Sequence, residues 1–97
     1  MKLLHGFVRE YRKRHMEIWP EITSLLKEAG VSDYSIFFDE ESNCLLAVLS
    51  AENPDLLNDL AANPMMQRWW LFMSDIMETH PDNSPVSVPL KEVFYLA

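Results

Sequence analysis

The segment Tyr34–Leu49 reads YSIFFDEESNCLLAVL. Aromatic and β-branched side chains dominate residues 34–38, and residues 44–49 are almost wholly apolar, so the pattern predicts two strands. The polar residues 39–43 between them predict a turn, which joins the strands into a hairpin. Alternate residues of a strand share a face, and one face of the first strand consists of Tyr34, Ile36 and Phe38.

The residues before the hairpin predict a short strand and then a helical pattern that a proline interrupts. The apolar segment Leu3–Val8 predicts the strand, and the helical pattern begins near Arg9. Apolar residues recur at spacings of three and four as far as Ala29, and Gly30 is the residue expected just past a helix end. Because proline has no backbone N–H to donate within a helix, we expect the helix to kink or restart at Pro20.

Two helix starts follow the hairpin. Asparagine followed by proline, at residues 53–54 and again at residues 63–64, is typical of an N-cap with proline in the first turn. The expected helices are Pro54–Ala62 and Met65–Met77. The expected remaining elements are a loop with three prolines, His80–Pro89, and a final strand, Lys91–Leu96.

The order of the predicted elements is strand, helix, strand, strand, helices, strand. This βαββαβ order predicts an α+β fold in which a four-stranded antiparallel sheet carries helices on one face. A length of 97 residues suits one domain, so we expect a single domain over residues 1–97. Three Trp, five Phe and six Met are a large apolar content for this length, and a second subunit is the expected cover for the other sheet face.

Charge and composition argue against several functional classes. The net charge of −7 argues against nucleic-acid binding, which needs clustered Lys and Arg. The single cysteine, Cys44, cannot form an intramolecular disulfide or hold a metal alone, and the three histidines share no metal-ligand spacing. No apolar run approaches the ~20 residues that span a bilayer, and no secretory apolar region is visible, so we expect a cytoplasmic protein without a membrane partner.

Tyr11 and His15 form the first candidate pair for chemistry. They lie four residues apart, so a helix places both side chains on one face, a turn apart. The ordinary pKa of histidine lies near neutrality, so the imidazole can both give and take a proton, and the tyrosine can orient it or bind a substrate hydroxyl. A histidine with a satisfied partner in a core or interface gives the same pattern, so the spacing alone leaves both interpretations open.

Trp69 and Trp70 form the second candidate pair. Adjacent side chains on a helix diverge by about 100°, so one indole can fill the core while the other lines a pocket or an interface. An indole ring suits the apolar C–H face of a sugar, and its N–H can donate to a hydroxyl. A core residue beside a dimer contact would give the same sequence.

Several motifs in order resemble the L-rhamnose mutarotase family. The first helix carries two of them, Tyr11-Arg12-Lys13-Arg14-His15 and Ile18-Trp19-Pro20-Glu21. The others are Asp33-Tyr34-Ser35-Ile36, Gln67-Arg68-Trp69-Trp70, Pro81-Asp82-Asn83-Ser84-Pro85-Val86-Ser87 and Glu92-Val93-Phe94-Tyr95-Leu96. The resemblance covers nearly the whole chain from Glu10 onward, and the order of the motifs makes it specific.

This resemblance implies a ferredoxin-like domain of the dimeric α+β barrel type, which pairs into a homodimer. It also implies a reaction that interconverts the α and β anomers of L-rhamnose without a metal or an organic cofactor. By position in the motifs, it implies that His15 is the proton donor and that the sugar is bound by Tyr11, Tyr34, Trp69 and Trp70.

Two other functions stay open for the residues taken by themselves. One is a noncatalytic ferredoxin-like dimer that binds a small ligand, which a His15 without a polar partner would favour. The other is a cofactor-free monooxygenase on the same scaffold, which a long and wholly apolar pocket would favour.

Overall fold

A computed structural model describes all 97 residues, as four α-helices and a two-stranded antiparallel sheet. The helices are α1 (Val8–Met16), α2 (Pro20–Glu28), α3 (Pro54–Asp59) and α4 (Pro64–Met73), and the strands are β1 (Val31–Asp39) and β2 (Cys44–Ala51). A 3₁₀ turn, Leu60–Ala62, follows α3. The predicted α+β class is confirmed, and none of the helices is long and apolar enough to cross a membrane.

Proline and asparagine define the helix starts as the sequence predicts. Pro20 is the first residue of α2, so the expected restart is confirmed. Before α3 and α4, the side chains of Asn53 and Asn63 accept hydrogen bonds from backbone N–H groups two residues on, at 3.0 and 2.9 Å. A cap of this kind contributes about 1 kcal/mol to helix stability. The helix predicted over Met65–Met77 is shorter than expected. It begins at Pro64 and ends at Met73.

The predicted hairpin is confirmed. In the antiparallel register Phe37 lies opposite Leu46 and Phe38 opposite Leu45, with an irregularity near Asp33, whose φ is +50°. Opposite residues of an antiparallel pair share a face. The face with Phe38 and Leu45 packs on the core, whereas the face with Phe37 and Leu46 is exposed.

The predicted strand Leu3–Val8 is wrong in its extent. Isolated antiparallel bridges join residues 2–3 to Cys44 on one side and to Met77 on the other. The chain then turns at Gly6, whose φ of +85° is readily available only to glycine, and enters α1 two residues later. Only Val8 of the segment lies in α1, and the turn at Gly6 ends the extended backbone after residues 2–3.

The predicted strand Lys91–Leu96 is also wrong within one chain. Residues 87–97, here called the C-terminal tail, make no hydrogen bond to the rest of the chain. Their apolar side chains are largely exposed, with Val93 at 90% and Phe94 at 79%. A strand exists only where a neighbouring strand supplies hydrogen-bond partners, and this tail has none in its own chain.

The core lies between the helices and the inner face of the sheet. Only 10 of the 97 residues are buried, so much of the large apolar content stays outside the core of one chain. The buried cluster consists of Leu3, Tyr11, Ile22, Leu45, Met66, Trp69, Met73, Ile76 and Met77. Two of its members, Tyr11 and Trp69, are candidate site residues, so the site is built directly on the core.

Candidate active site

A cavity of about 720 Å³ opens between α1, α4 and the inner face of β1. All five residues that the sequence singled out line this cavity: Tyr11, His15, Tyr34, Trp69 and Trp70. A volume in this range is typical of small-molecule sites. The structure therefore brings together, from three different elements, groups that are scattered along the sequence.

The Tyr11–His15 pair lies on one face of α1, as the spacing predicts. The two rings stack with centroids 4.3 Å apart and an angle of 25° between their planes. The Nδ1 of His15 lies 3.1 Å from the backbone oxygen of Tyr11. Because a carbonyl oxygen only accepts, Nδ1 carries the proton of the neutral ring, and Nε2 keeps a free lone pair. His15 therefore has a polar partner and one nitrogen free for chemistry.

Trp69 and Trp70 differ in burial, as the divergence of adjacent side chains on a helix predicts. Trp69 is buried and its ring meets His15 edge-on, with centroids 5.5 Å apart. Its other neighbours are Trp19, at 5.2 Å between ring centroids, and Phe72, at 5.7 Å. Trp70 is only half-buried, although it also lines the cavity. Trp69 therefore belongs to both the core and the site, while Trp70 belongs mainly to the cavity wall.

Burial favours the neutral forms of His15, Tyr11 and Tyr34 in the cavity. It lowers the pKa of His15 below the ordinary value of 6.5, and the hydrogen bond that His15 Nδ1–H donates to the backbone oxygen of Tyr11 opposes this only in part. Burial also raises the pKa of Tyr34, and burial together with the nearby Tyr34 raises the pKa of Tyr11. The cavity thus offers two phenol donors beside a neutral imidazole.

The charged groups lie mostly outside the cavity. Arg12 is the single charged residue among those that line it, a contribution that sequence reasoning missed. The Asp82–Ser84 turn is held by its own hydrogen bonds, although the neighbouring Pro85 reaches the cavity. Cys44 is half-buried at the start of β2. No group of three or more His, Cys, Asp or Glu side chains is placed to hold a metal ion.

A second contact that sequence reasoning missed joins α1 to the end of α4. Arg14 donates to Asp75, 61 residues further along the chain, at 2.7 Å. The sequence offers a signal only for the local part of this network, since Glu10 and Arg14 have the four-residue spacing of a helical ion pair.

Comparison with known proteins identifies the family. The sequence model described as L-rhamnose mutarotase matches residues 1–96. The chain is 57% identical over 97 residues to the L-rhamnose mutarotase of Mesorhizobium japonicum, which covers 100% of this chain and 92% of that protein. It is 55% identical to the L-rhamnose mutarotase of Sinorhizobium fredii, with 100% and 93% of the two chains covered.

A solved structure agrees with the sequence comparison. The crystal structure of an L-rhamnose mutarotase from Formosa agariphila superimposes with a TM-score of 0.93 at 52% identity. The match covers 100% of this chain and 93% of the other. The chain, with its histidine, tyrosine and tryptophan side chains gathered around one cavity, belongs to the L-rhamnose mutarotase family.

Proposed function

We propose that this chain interconverts the α and β anomers of L-rhamnose by acid–base catalysis in the cavity. The observation that carries the proposal is His15, whose Nδ1 is bonded to its own helix, whose Nε2 makes no hydrogen bond, and which lines the cavity together with the tyrosines and tryptophans. The family to which the chain belongs supplies the substrate and the reaction. The polar partner of His15 and the phenols in the cavity support neither the noncatalytic protein nor the monooxygenase.

The proposed reaction needs only proton transfers at two oxygens on the same carbon. Nε2 of His15 takes the proton of the anomeric hydroxyl as the bond between C1 and the ring oxygen breaks. The imidazolium then gives a proton to the ring oxygen, which yields the open-chain aldehyde. Rotation about the C1–C2 bond followed by the reverse steps closes the ring as the other anomer. His15 is therefore both the base of ring opening and the proton donor.

The remaining candidate residues have binding roles in this proposal. The phenols of Tyr11 and Tyr34 stay protonated because their pKa values are raised, so they can donate hydrogen bonds to sugar oxygens. Trp69 and Trp70 offer indole faces for the C–H groups and the methyl group of the sugar. Because the sugar is uncharged, its binding does not require electrostatic steering, and the net negative charge of the chain is compatible with it.

We further propose that residues 1–97 form one ferredoxin-like domain with a four-stranded sheet. Backbone hydrogen bonds continue the ladder beyond the two strands, with Leu3 N–H donating to Asn43 and Leu4 N–H donating to Ile76, both at 2.9 Å. The resulting order is β1, β2, residues 2–3 and residue 77. A strand order of this kind agrees with the βαββαβ order of elements along the chain.

We also propose a homodimer of the α+β barrel type. Phe37, Leu46 and Val48 leave an apolar patch on the outer face of the sheet, and the C-terminal tail exposes further apolar side chains. A second copy of the chain would cover both surfaces.

Saturation-transfer NMR on L-rhamnose tests the proposed function. Irradiation of one anomeric proton should reduce the signal of the other in proportion to the concentration of added protein. Exchange that stays at the rate of the buffer alone would show that the chain is not a mutarotase for this sugar.

A further inference from the structure

Arg14, the residue before His15, ties α1 to the end of α4. Its Nη1 donates to Asp75 Oδ1 at 2.7 Å and to the backbone oxygen of Phe72 at 2.7 Å. Its Nη2 donates to Asp75 Oδ2 at 3.3 Å, and its Nε donates to Glu10 Oε1 at 3.0 Å. The guanidinium carbon also lies 4.6 Å from the centre of the Phe72 ring.

The geometry of this contact is more restrictive than that of a simple ion pair. The Arg14 side chain is 13% exposed, and its planar group is held by three carboxylate oxygens, a carbonyl oxygen and an aromatic ring. Such a bidentate arrangement fixes direction as well as distance. Arg14 also makes every side-chain hydrogen bond that joins α1 to α4 and the residues just after it.

The position of His15 depends on the same two helices. Adjacent residues on a helix point about 100° apart, so Arg14 reaches the end of α4 while His15 faces the cavity. The imidazole is stacked on Tyr11 of its own helix and meets Trp69 of α4 edge-on. A shift of α1 relative to α4 would therefore change the position of His15 relative to Trp69, against which the sugar is proposed to lie.

We propose that Arg14 is a positioning residue for His15, because its bidentate contact with Asp75 sets the placement of α1 against α4. This inference rests on the proposed function, in which His15 acts on the anomeric hydroxyl. It assigns to Arg14 no contact with the sugar. A misplacement of about 1 Å can lower a rate about 10²-fold, so a contact outside the cavity is sufficient to affect catalysis.

The test compares Arg14→Gln, Arg14→Lys and Asp75→Asn with the native chain. Arg9→Gln is the matched control, because Arg9 is an exposed arginine of α1 without a hydrogen-bond partner. Anomer exchange at increasing L-rhamnose gives kcat and KM. The ring-proton resonances of His15, assigned by their absence in His15→Ala, report its position through the ring current of Trp69.

Arg14→Gln and Asp75→Asn should lower kcat about tenfold or more, with a smaller change in KM and with shifted His15 resonances. Arg14→Lys, which keeps the charge but not the planar fork, should recover part of the rate, and Arg9→Gln should match the native chain. An unchanged kcat, or a lowered kcat with native His15 resonances, would overturn the proposal. Should Arg14→Gln fail to fold, Asp75→Asn decides by the same criteria, since Asp75 is exposed.

The two proposals can fail separately. If the native chain does not exchange the anomers of L-rhamnose, the proposed function is wrong. The resonances of His15 in the Arg14 and Asp75 variants would still show whether the contact positions the imidazole.

Discussion

The cavity region and the C-terminal tail are both rich in aromatic residues but have opposite surroundings. Around the cavity, Trp69 packs against Trp19, Phe72 and His15, and it is buried. In the tail, Phe94 and Tyr95 are about four-fifths and three-quarters exposed, and no hydrogen bond holds the backbone. One chain therefore buries an aromatic residue at the cavity but leaves the aromatic residues of the tail exposed.

This difference separates the part of the chain that packs within one chain from the part that does not. Burying a large apolar side chain stabilises a structure by about 1.5–3 kcal/mol, so an exposed run of four apolar residues at the end of the tail leaves a large driving force unused. The cavity can form within one protomer. In the proposed homodimer, we expect the tail to find its hydrogen-bond partners on the second copy.

The largest expected effect on stability comes from truncating the aromatic residue that joins core and cavity. Trp69→Ala should lower the free energy of unfolding by about 3–5 kcal/mol, because it leaves a cavity in the core. Leu71→Ala, at an exposed position on the same helix, is the control and should change stability by less than about 0.5 kcal/mol. Chemical denaturation measures both, and equal effects would mean that Trp69 is not the core residue described here.

The next largest effect is on the rate of anomer exchange. His15→Ala should lower this rate by about 10²-fold or more, since an acid–base group contributes about 10²–10⁴-fold. His80→Ala is the control, because that side chain is exposed and does not line the cavity. A folded His15→Ala protein that exchanges the anomers at the native rate would remove His15 from the mechanism.

The oligomeric state tests whether the C-terminal tail contributes to the proposed homodimer. The double variant Phe94→Ser with Tyr95→Ser should weaken the proposed homodimer at least about tenfold, because two aromatic side chains no longer bury apolar area. Leu71→Ser removes a comparable exposed side chain on α4 and should leave the association unchanged. Light scattering over a concentration series reads out both. A native chain that is monomeric at micromolar concentration would contradict the role of the tail.

The smallest expected effect is a pH dependence of stability that arises from His15. Burial lowers its pKa in the folded chain below the ordinary value of 6.5, so the unfolded chain binds a proton more readily in the interval between the two. Stability from this group is therefore present above pH 6.5 and is lost as the pH falls through the lowered pKa. The melting temperature of the native chain should decline more between pH 7.5 and 5 than that of His15→Ala, and parallel declines would contradict the burial of the imidazole.

Local signals explain how much of this structure the sequence could predict. Pro20, Asn53 and Asn63 determine helix starts through their own backbone and side-chain chemistry, so those boundaries were predictable. The hairpin was equally predictable, because strand, turn and strand are adjacent along the chain. The strands expected at Leu3–Val8 and Lys91–Leu96 depend instead on partners that apolar content does not specify.

The candidate site likewise combines features that the local sequence predicts with features that only the folded chain shows. The four-residue spacing of Tyr11 and His15 and the adjacent tryptophans could be interpreted from helix geometry alone. The contact between Arg14 and Asp75 spans 61 residues and follows from how two helices pack, which no local pattern reveals. Similarly, the shift in the pKa of His15 arises from burial in the folded chain and could not be predicted from its neighbours in the sequence.

A crystal structure of the chain with L-rhamnose would test directly whether His15 acts on the anomeric hydroxyl. We expect the sugar in the cavity between α1, α4 and β1, with its anomeric hydroxyl within hydrogen-bond distance of His15 Nε2 and a C–H face against Trp69 or Trp70. A sugar bound elsewhere, or one whose anomeric carbon points away from His15, would contradict the proposed mechanism.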